Sequence, residues 1–208
     1  MQLRHKSYIV ISIVALLAVS TSISVQAINK ADLIAKQALE ASQGESGLTE
    51  DLGSTTGLWV TGDSVILGIR AKLEKQVHIS LINARVGRQA PELLAVMRVD
   101  QSSVPESPII FNLGNNNKLS ESTVVEIFET IKNQPEIIVV NTAVPRAWRD
   151  ENNQIIARVS SRYANVKLID WNKISSGKPE LFAPDGVHLS PTGSDAYVAS
   201  VLDVLTKK

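Results

Sequence analysis

Short apolar runs alternate with longer helical stretches from about residue 57 to the end of the chain. The runs are rich in β-branched residues, which is typical of strands buried on both faces: LWVTG (58–62), VHISLI (77–82), PIIFNL (108–113), EIIVVN (136–141) and VKLID (166–170). The other stretches carry apolar residues at helical spacing: 64–76, 88–98, 120–132, 151–164 and 191–208. This alternation predicts an α/β fold, with a parallel sheet, right-handed crossovers and helices on both faces.

The composition fits one such domain and excludes several kinds of chemistry. Of the 208 residues 44% are hydrophobic, which is enough for a packed core. Because the chain contains no Cys, disulfides, thiolate nucleophiles, zinc fingers and iron–sulfur clusters are excluded. Its 21 Lys and Arg balance 21 Asp and Glu, so no broad basic field is available for nucleic acid. Any nucleophile is therefore an oxygen or a nitrogen.

The amino terminus has the pattern of an export signal over residues 1–27. Basic residues precede an apolar run at residues 8–19, and small and polar residues follow up to Ala27. A retained membrane anchor is the alternative, and the polar end of the segment favours cleavage. Under either interpretation we expect the rest of the chain to be secreted or anchored to the outer face of the cytoplasmic membrane.

Two further segments follow the export signal. Residues 28–56 begin with a helical pattern and continue into a stretch rich in Gly, Ser and Thr, which predicts a helix and a linker. Residues 57–208 carry the alternating pattern and form the predicted compact domain. In an open parallel sheet, ligands bind beyond the carboxyl ends of the strands. The residues that follow the runs are therefore the candidates for chemistry.

One histidine stands out among the three in the chain. His5 lies in the export signal, and for His78, inside a predicted strand, a packed or edge position is the favoured interpretation. His188 follows Asp185 by three residues in a loop before a predicted helix. A carboxylate at this spacing is suited to bind Nδ1–H and leave Nε2 free as a base.

Ser64 is the best-placed hydroxyl to face that base. It ends the first predicted strand and begins a helix, whose positive end favours developing negative charge. Taken alone, Ser64 also fits a simple helix cap, and Asp185 and His188 also fit a polar turn. Their joint placement at strand ends favours catalysis.

Four blocks, in order, resemble those of the SGNH (GDSL-type) hydrolases: Gly62-Asp63-Ser64-Val65, residues 83–89, residues 111–116 and Asp185-Gly186-Val187-His188. The resemblance covers about residues 58–200 and implies a three-layer α/β/α sandwich with a five-stranded parallel sheet, of the flavodoxin-like kind. Val65 departs from the Leu of many members. The Gly-x-Ser-x-Gly elbow of the α/β-hydrolases does not occur.

The resemblance implies a role for each matching residue. Ser64 is the nucleophile, His188 the base and then acid, and Asp185 the residue that orients it. The oxyanion hole takes the backbone N–H of Ser64 and of Gly87 and the side-chain amide of Asn116, which are neutral donors suited to a tetrahedral oxyanion. Ordinary turn roles for Gly87 and Asn116 are the alternative. No cofactor and no metal are implied.

A narrower resemblance concerns the substrate. Residues 141–148 and Asp170-Trp171, together with the blocks above, resemble the extracellular domain of Gram-positive peptidoglycan O-acetyltransferases. This implies transfer of acetyl groups to cell-wall sugars, with a separate membrane acyltransferase as donor, or hydrolysis of acetyl esters. Trp148 is equally suited to packing and to sugar stacking. Arg85 and Arg88 are suited to bind a substrate carboxylate or to lie in solvent at a helix start.

Three other functions stay open at this point. A lipid or lysophospholipid esterase of the same fold needs an apolar acyl slot, which the sequence does not show. A non-catalytic wall-binding module is disfavoured because Ser64, Asp185, His188 and Asn116 are all present. A metal hydrolase lacks a second motif to complete the ligand set.

Overall fold

The computed structural model describes residues 57–207. The predicted export signal or anchor at residues 1–27, the predicted helix and linker at residues 28–56 and the last residue lie outside this range. In the described part, one sheet contains five strands, all parallel to their neighbours: β1 Leu58–Gly62, β2 Ile79–Ala84, β3 Ile109–Asn112, β4 Ile137–Val140 and β5 Val166–Ile169.

The order of the strands across the sheet is β2-β1-β3-β4-β5. This is the flavodoxin-like order, in which the strand sequence changes direction beside β1. The loops after β1 and β3 therefore part at this point and leave a crevice at the carboxyl end of the sheet. Because Ser64 directly follows β1, the topology puts it at that crevice.

In the described residues a helix follows each of the five strands, and a sixth helix comes last: α1 Ser64–Leu73, α2 Ala90–Asp100, α3 Glu121–Ile131, α4 Arg149–Ser160, α5 Trp171–Ser175 and α6 Pro191–Thr206. Capping residues fix the first turns of several of these helices. Ser120 Oγ accepts from Thr123 N at 3.2 Å before α3. Ser190 Oγ accepts from Gly193 N at 3.0 Å, and Pro191 opens α6, as the sequence predicts.

The sheet separates two apolar cores, which makes the domain a three-layer α/β/α sandwich. Alternate residues of each central strand point to opposite faces, as the two-residue period requires. Ile109 and Phe111 join the core under α2, α3 and α4, and Ile110 joins the core under α1 and α6. The predicted fold class is confirmed. Trp59 is fully buried in the first of these cores.

The structure differs from the sequence prediction in its short elements. His78 lies one residue before β2, which is an edge strand, and is exposed. Helix α5 and the 3-10 turns Gln101–Ser103 and Pro179–Leu181 were not predicted. Segments this short show no periodic pattern in the sequence, because they complete little more than one helical turn.

Within residues 57–207, no helix combines the length and the apolar character needed to cross a membrane.

Gly193 provides a test of how closely α6 packs on the loop before it. A Cβ at Gly193 would overlap the carbonyl oxygen of Leu181, whereas a Cβ at Gly68 in α1 meets nothing within 4 Å. We expect Gly193→Ala to lower the free energy of unfolding by about 1–3 kcal/mol through overpacking. We expect Gly68→Ala to raise it by roughly 0.5–1 kcal/mol, because Ala favours the helix. Urea unfolding followed by circular dichroism measures both, and equal midpoints for the two variants would contradict the packing.

Candidate active site

Ser64 is the first residue of α1, and its hydroxyl is not used to cap that helix. The cap is Asp63, whose Oδ1 accepts from Val65 N at 2.9 Å. The alternative that Ser64 is only a helix cap is therefore wrong. The Ser64 side chain lies at the positive end of α1, where negative charge that develops on an oxygen is stabilised.

Ser64, His188 and Asp185 form one continuous line of contacts. Ser64 Oγ lies 3.0 Å from His188 Nε2, and His188 Nδ1 lies 2.6 Å from Asp185 Oδ2. His188 and Asp185 are about half exposed, with 49% and 50% of their side chains accessible to solvent. The structure thus brings together the three residues that the sequence singled out from regions more than a hundred positions apart.

The second oxygen of Asp185 fixes the loop that carries the histidine. Asp185 Oδ1 accepts from the backbone N–H of Val187 at 2.9 Å and of His188 at 3.0 Å. The hydrogen bond from the imidazole and these two backbone bonds lower the pKa of Asp185 to about 2. The carboxylate is therefore charged at every pH at which the imidazole has to act as a base.

The two further oxyanion donors that the sequence predicts lie in different loops. Gly87 has a φ of +71° in a turn that Arg88 N closes on Arg85 O at 3.2 Å. In the described part of the chain, the N–H groups of Ser64 and Gly87 bind no backbone acceptor. Both are thus free to donate to a ligand, as an oxyanion hole requires.

The Asn116 amide, in contrast, has partners for both of its N–H groups. Nδ2 donates to Asp63 Oδ2 at 2.9 Å and to the Arg88 carbonyl oxygen at 3.2 Å. An oxyanion that binds Asn116 Nδ2 therefore has to share or replace one of these two hydrogen bonds. The bond to Arg88 is the longer of the two and the easier to exchange.

Asp63 connects these loops through its buried carboxylate, which is 4% exposed. Besides Val65 N and Asn116, it accepts from Asn112 Nδ2 at 2.6 Å and from Asn115 Nδ2 at 3.0 Å. Asn112 also accepts from Asp63 N at 3.1 Å. The sequence analysis missed the role of Asn112; the signal available was a polar residue at the end of an otherwise apolar strand.

The predicted substrate-binding residues lie on two sides of this centre. Trp148 is half-buried, and its Nε1 donates to Gly114 O at 3.2 Å. Arg85 is exposed, and its Nη2 lies 2.6 Å from Glu92 Oε2. A substrate carboxylate at Arg85 would therefore compete with an ion pair already present.

Arg88 corrects one sequence expectation. It was expected to bind a carboxylate or to lie in solvent at a helix start, and it is only 8% exposed. Its Nη2 donates to Asn83 Oδ1 at 2.8 Å and its Nη1 to Asn83 O at 2.5 Å. The pKa of Arg88 lies below its usual value, mainly because the guanidinium is buried. The side chain folds inward because the ends of β1 and β2 supply these acceptors, which the local sequence does not reveal.

A small recess adjoins the catalytic residues. Its lining includes Val65 and Val187, the neighbours of Ser64 and His188 in the chain, and also Asn115, Val144 and Tyr197. The cavity is small, with a volume of about 10 Å³. In residues 57–207, no cluster of three or more His, Asp or Glu side chains is arranged to hold a metal ion.

The chain is similar to curated proteins and to solved structures. Peptidoglycan O-acetyltransferase OatA of Listeria monocytogenes is 37% identical over 147 residues, which are 70% of this chain and 23% of that protein. The chain thus spans about a quarter of the length of the curated relatives it matches. No protein-family model matches it.

Two solved structures share the fold. The C-terminal catalytic domain of peptidoglycan O-acetyltransferase A from Streptococcus pneumoniae, solved with a methylsulfonyl adduct, has a TM-score of 0.64 at 20% identity and covers 74% of this chain and 94% of that one. A lipase/acylhydrolase from Enterococcus faecalis has a TM-score of 0.59 at 17% identity, with 71% and 94% covered.

The 37% identity to OatA over 70% of this chain decides the family. The chain belongs to the SGNH hydrolase family. The resemblance to this family and to its peptidoglycan O-acetyltransferases, which the sequence blocks suggest, is thereby confirmed. The relatives named here are O-acetyltransferases and acylhydrolases, which are enzymes that transfer or hydrolyse acyl groups.

The charge of Asp185 gives this SGNH site a testable pH dependence. Because the pKa of Asp185 is about 2, the parent protein keeps the charge of this carboxylate throughout mild acid. The side chain of Asp185→Asn has one oxygen in place of two. If that oxygen keeps the two backbone hydrogen bonds, its NH₂ group faces His188 Nδ1. This favours the tautomer with the proton on Nε2, which cannot take a proton from Ser64. We expect kcat/KM for an acetyl ester to fall at least about tenfold throughout the pH range in which the parent protein has Asp185 ionised.

The matched control for this variant is Asp195→Asn. Asp195 is an exposed carboxylate of α6 that pairs with Lys72, away from the triad. We expect its rate profile to coincide with that of the parent protein. An Asp185→Asn profile with the same rate and midpoint as the parent would remove Asp185 from the site.

Proposed function

We propose that the chain is an exported serine acyl transferase or esterase that acts on O-acetyl groups of peptidoglycan sugars. The observation that carries the proposal is the line of contacts from Ser64 through His188 to Asp185 at the carboxyl end of the sheet. This arrangement is the one needed to activate a hydroxyl nucleophile. The relatives named peptidoglycan O-acetyltransferase support the substrate class.

The first half of the reaction acylates Ser64. His188 Nε2 takes the proton from Ser64 Oγ, at a starting separation of 3.0 Å, as that oxygen attacks the acyl carbonyl. The charge of Asp185 stabilises the imidazolium that forms. His188 then gives the proton to the leaving oxygen, and an acyl-enzyme remains.

The second half passes the acyl group to an acceptor. A sugar hydroxyl or a water gives its proton to His188 and attacks the acyl carbon. His188 then returns the proton to Ser64 Oγ as the bond from that oxygen to the acyl carbon breaks, which regenerates Ser64. In both halves the oxyanion takes hydrogen bonds from the N–H of Ser64, the N–H of Gly87 and the Asn116 amide, after the bond from Asn116 to Arg88 O exchanges. Loss of one such donor typically costs about 2.7–4 kcal/mol of barrier.

The recess beside the triad supports a short acyl group. Its volume of about 10 Å³ is room for about one water molecule and lies far below the roughly 300–1,000 Å³ typical of pockets that bury drug-sized ligands. This favours acetyl over the long chain of a lipid or lysophospholipid, although a lipase/acylhydrolase shares the fold. Esterase activity on the same acetyl groups is the second candidate, because it needs the same residues and only a water as acceptor.

The loop after β4 supports an acceptor site for a sugar. Pro145 lies against the histidine loop, since a Cβ at Gly186 would lie 3.1 Å from Pro145 Cγ. Trp148, a few residues on, is bound to Gly114 O beside the Asn116 loop. The loop therefore borders the triad on one side and the oxyanion loop on the other. The exposed part of the Trp148 indole is our candidate for stacking on the sugar ring.

Export completes the proposal, because peptidoglycan lies outside the cytoplasmic membrane. Residues 1–27, with their basic start and apolar run, are the proposed signal or anchor. A separate membrane acyltransferase is the proposed acetyl donor. The described domain itself needs no cofactor for the steps above.

The nucleophile is tested by Ser64→Ala. We expect ester turnover to fall to the background rate, since no other hydroxyl faces His188 Nε2 in the described residues. A serine-directed sulfonyl fluoride should label the parent protein once and fail to label the variant, as detected by mass spectrometry of the intact protein. The circular dichroism spectrum controls for folding. Undiminished labelling of a folded Ser64→Ala variant would remove Ser64 from its role.

The acceptor site is tested by comparing Trp148→Ala with Trp148→Phe. A held acceptor can lower the barrier by several kcal/mol through orientation. We expect Trp148→Ala to lower acetyl transfer to muramyl oligomers about tenfold more than hydrolysis of a small activated acetyl ester. Trp148→Phe keeps a flat apolar face and should retain most of the transfer.

The two rates of one preparation serve as each other's control, since loss of folded protein lowers both. If transfer and hydrolysis fall in parallel in a folded variant, Trp148 has only a packing role. If the parent protein hydrolyses the ester but transfers nothing at saturating acceptor, the esterase function replaces the transferase.

A further inference from the structure

We propose that Arg88 is a positioning residue that holds two of the oxyanion donors, the Gly87 N–H and the Asn116 amide, in register with Ser64. The proposal rests on the proposed function, because it concerns how that site is kept in its active geometry. The hydrogen bonds of the Arg88 side chain go to Thr61 and Asn83, at the ends of β1 and β2. Its effect passes through the turn and the amide that its backbone contacts.

The first observation is the burial of its charge. Among residues 57–207, Asp63 and Arg88 are the charged residues that are buried. In the same part of the chain Arg88 forms no ion pair, and its Nε is buried without a hydrogen-bond partner. Burying a guanidinium without a carboxylate partner is costly. Because its bonds go to neutral acceptors and not to a carboxylate, a role in the adjacent site explains the residue better than a role in the core.

The second observation is what the guanidinium holds. Nη1 donates to Asn83 O and Nη2 to Asn83 Oδ1, so the planar group binds both acceptors of one residue at the end of β2. Asn83 is held in turn, because its Nδ2 donates to Asp100 Oδ2 at 2.9 Å. Thr61 at the end of β1 donates its hydroxyl to the same carbonyl of Asn83 at 2.8 Å. The side chain is therefore anchored to two strands of the sheet.

The third observation is what the backbone of Arg88 holds. Its N–H closes the turn on Arg85 O, and Gly87 lies in that turn with its N–H free. Its carbonyl oxygen accepts from Asn116 Nδ2 at 3.2 Å. One residue thus fixes the turn of the first donor and contacts the second donor directly. If the guanidinium lost its hydrogen bonds to Asn83, the Gly87 N–H and the Asn116 amide would shift together.

The variants that test this are Arg88→Met and Arg88→Lys. Met keeps the length and apolar stem without the donors, and Lys keeps the charge without the planar fork. We expect kcat for a small acetyl ester, per active site titrated with the sulfonyl fluoride, to fall tenfold or more in Arg88→Met with KM changed less than about threefold. We expect Arg88→Lys to recover only a minor part of the loss. Arg98→Met, an exposed arginine of α2 paired with Glu126, is the control and should keep the parent kcat.

A double variant separates positioning from a general loss of structure. If Arg88 acts through Asn116, then Arg88→Met combined with Asn116→Ala should be no slower, within about threefold, than the slower single variant. Independent structural damage would multiply the two losses instead. Losses that multiply, or a per-site kcat of Arg88→Met or of a folded Arg88→Lys within twofold of the parent, would overturn the proposal.

The same experiment distinguishes this proposal from the proposed function. If the parent protein is neither labelled at Ser64 nor active on any acetyl ester, the proposed function fails. If the parent is labelled and active while both Arg88 variants keep its per-site kcat, the proposed function stands and only the role of Arg88 fails.

Discussion

The arrangement around Ser64 depends on the buried carboxylate of Asp63. Four side-chain or backbone N–H groups converge on its two oxygens, from Val65 and from three asparagines, Asn112, Asn115 and Asn116. Burying a carboxylate is costly unless such donors replace its lost hydration. The need to satisfy one charge therefore ties the end of β1, the start of α1, the end of β3 and the Asn116 loop into a single unit.

The candidate active site has a buried half and an exposed half. Asp63 and Arg88 lie behind the oxyanion donors and are almost fully buried, whereas His188 and Asp185 are about half exposed. Donors that are fixed before the reaction stabilise a developing oxyanion without reorganisation. A base at the surface suits an acceptor that has to arrive and depart. This division fits an enzyme whose second substrate is a sugar of a large polymer.

Much of the fold and of the triad could be predicted from the sequence. The runs around Val60, Ile110 and Val139 consist of consecutive apolar residues, which is the pattern of strands buried on both faces. A parallel sheet brings the carboxyl ends of such strands together, which places the candidate residues near one another. The short helix at Trp171 and the inward path of Arg88 could not be predicted. Each depends on acceptors from other elements: Arg88 binds Asn83, and Asn172 N donates to Asn141 Oδ1 at 3.0 Å.

The sequence by itself determined the layers, the strand ends and the chemical identity of the reactive groups, because periodicity and local spacing suffice for these. Asp185 and His188 are three residues apart, so their pairing is a local property of one turn. Only the tertiary structure decided that Ser64 faces this histidine, that three asparagines converge on Asp63, and that Arg88 is buried. Those outcomes require groups distant in the chain to satisfy one another's hydrogen bonds, which happens only when the sheet has brought them together.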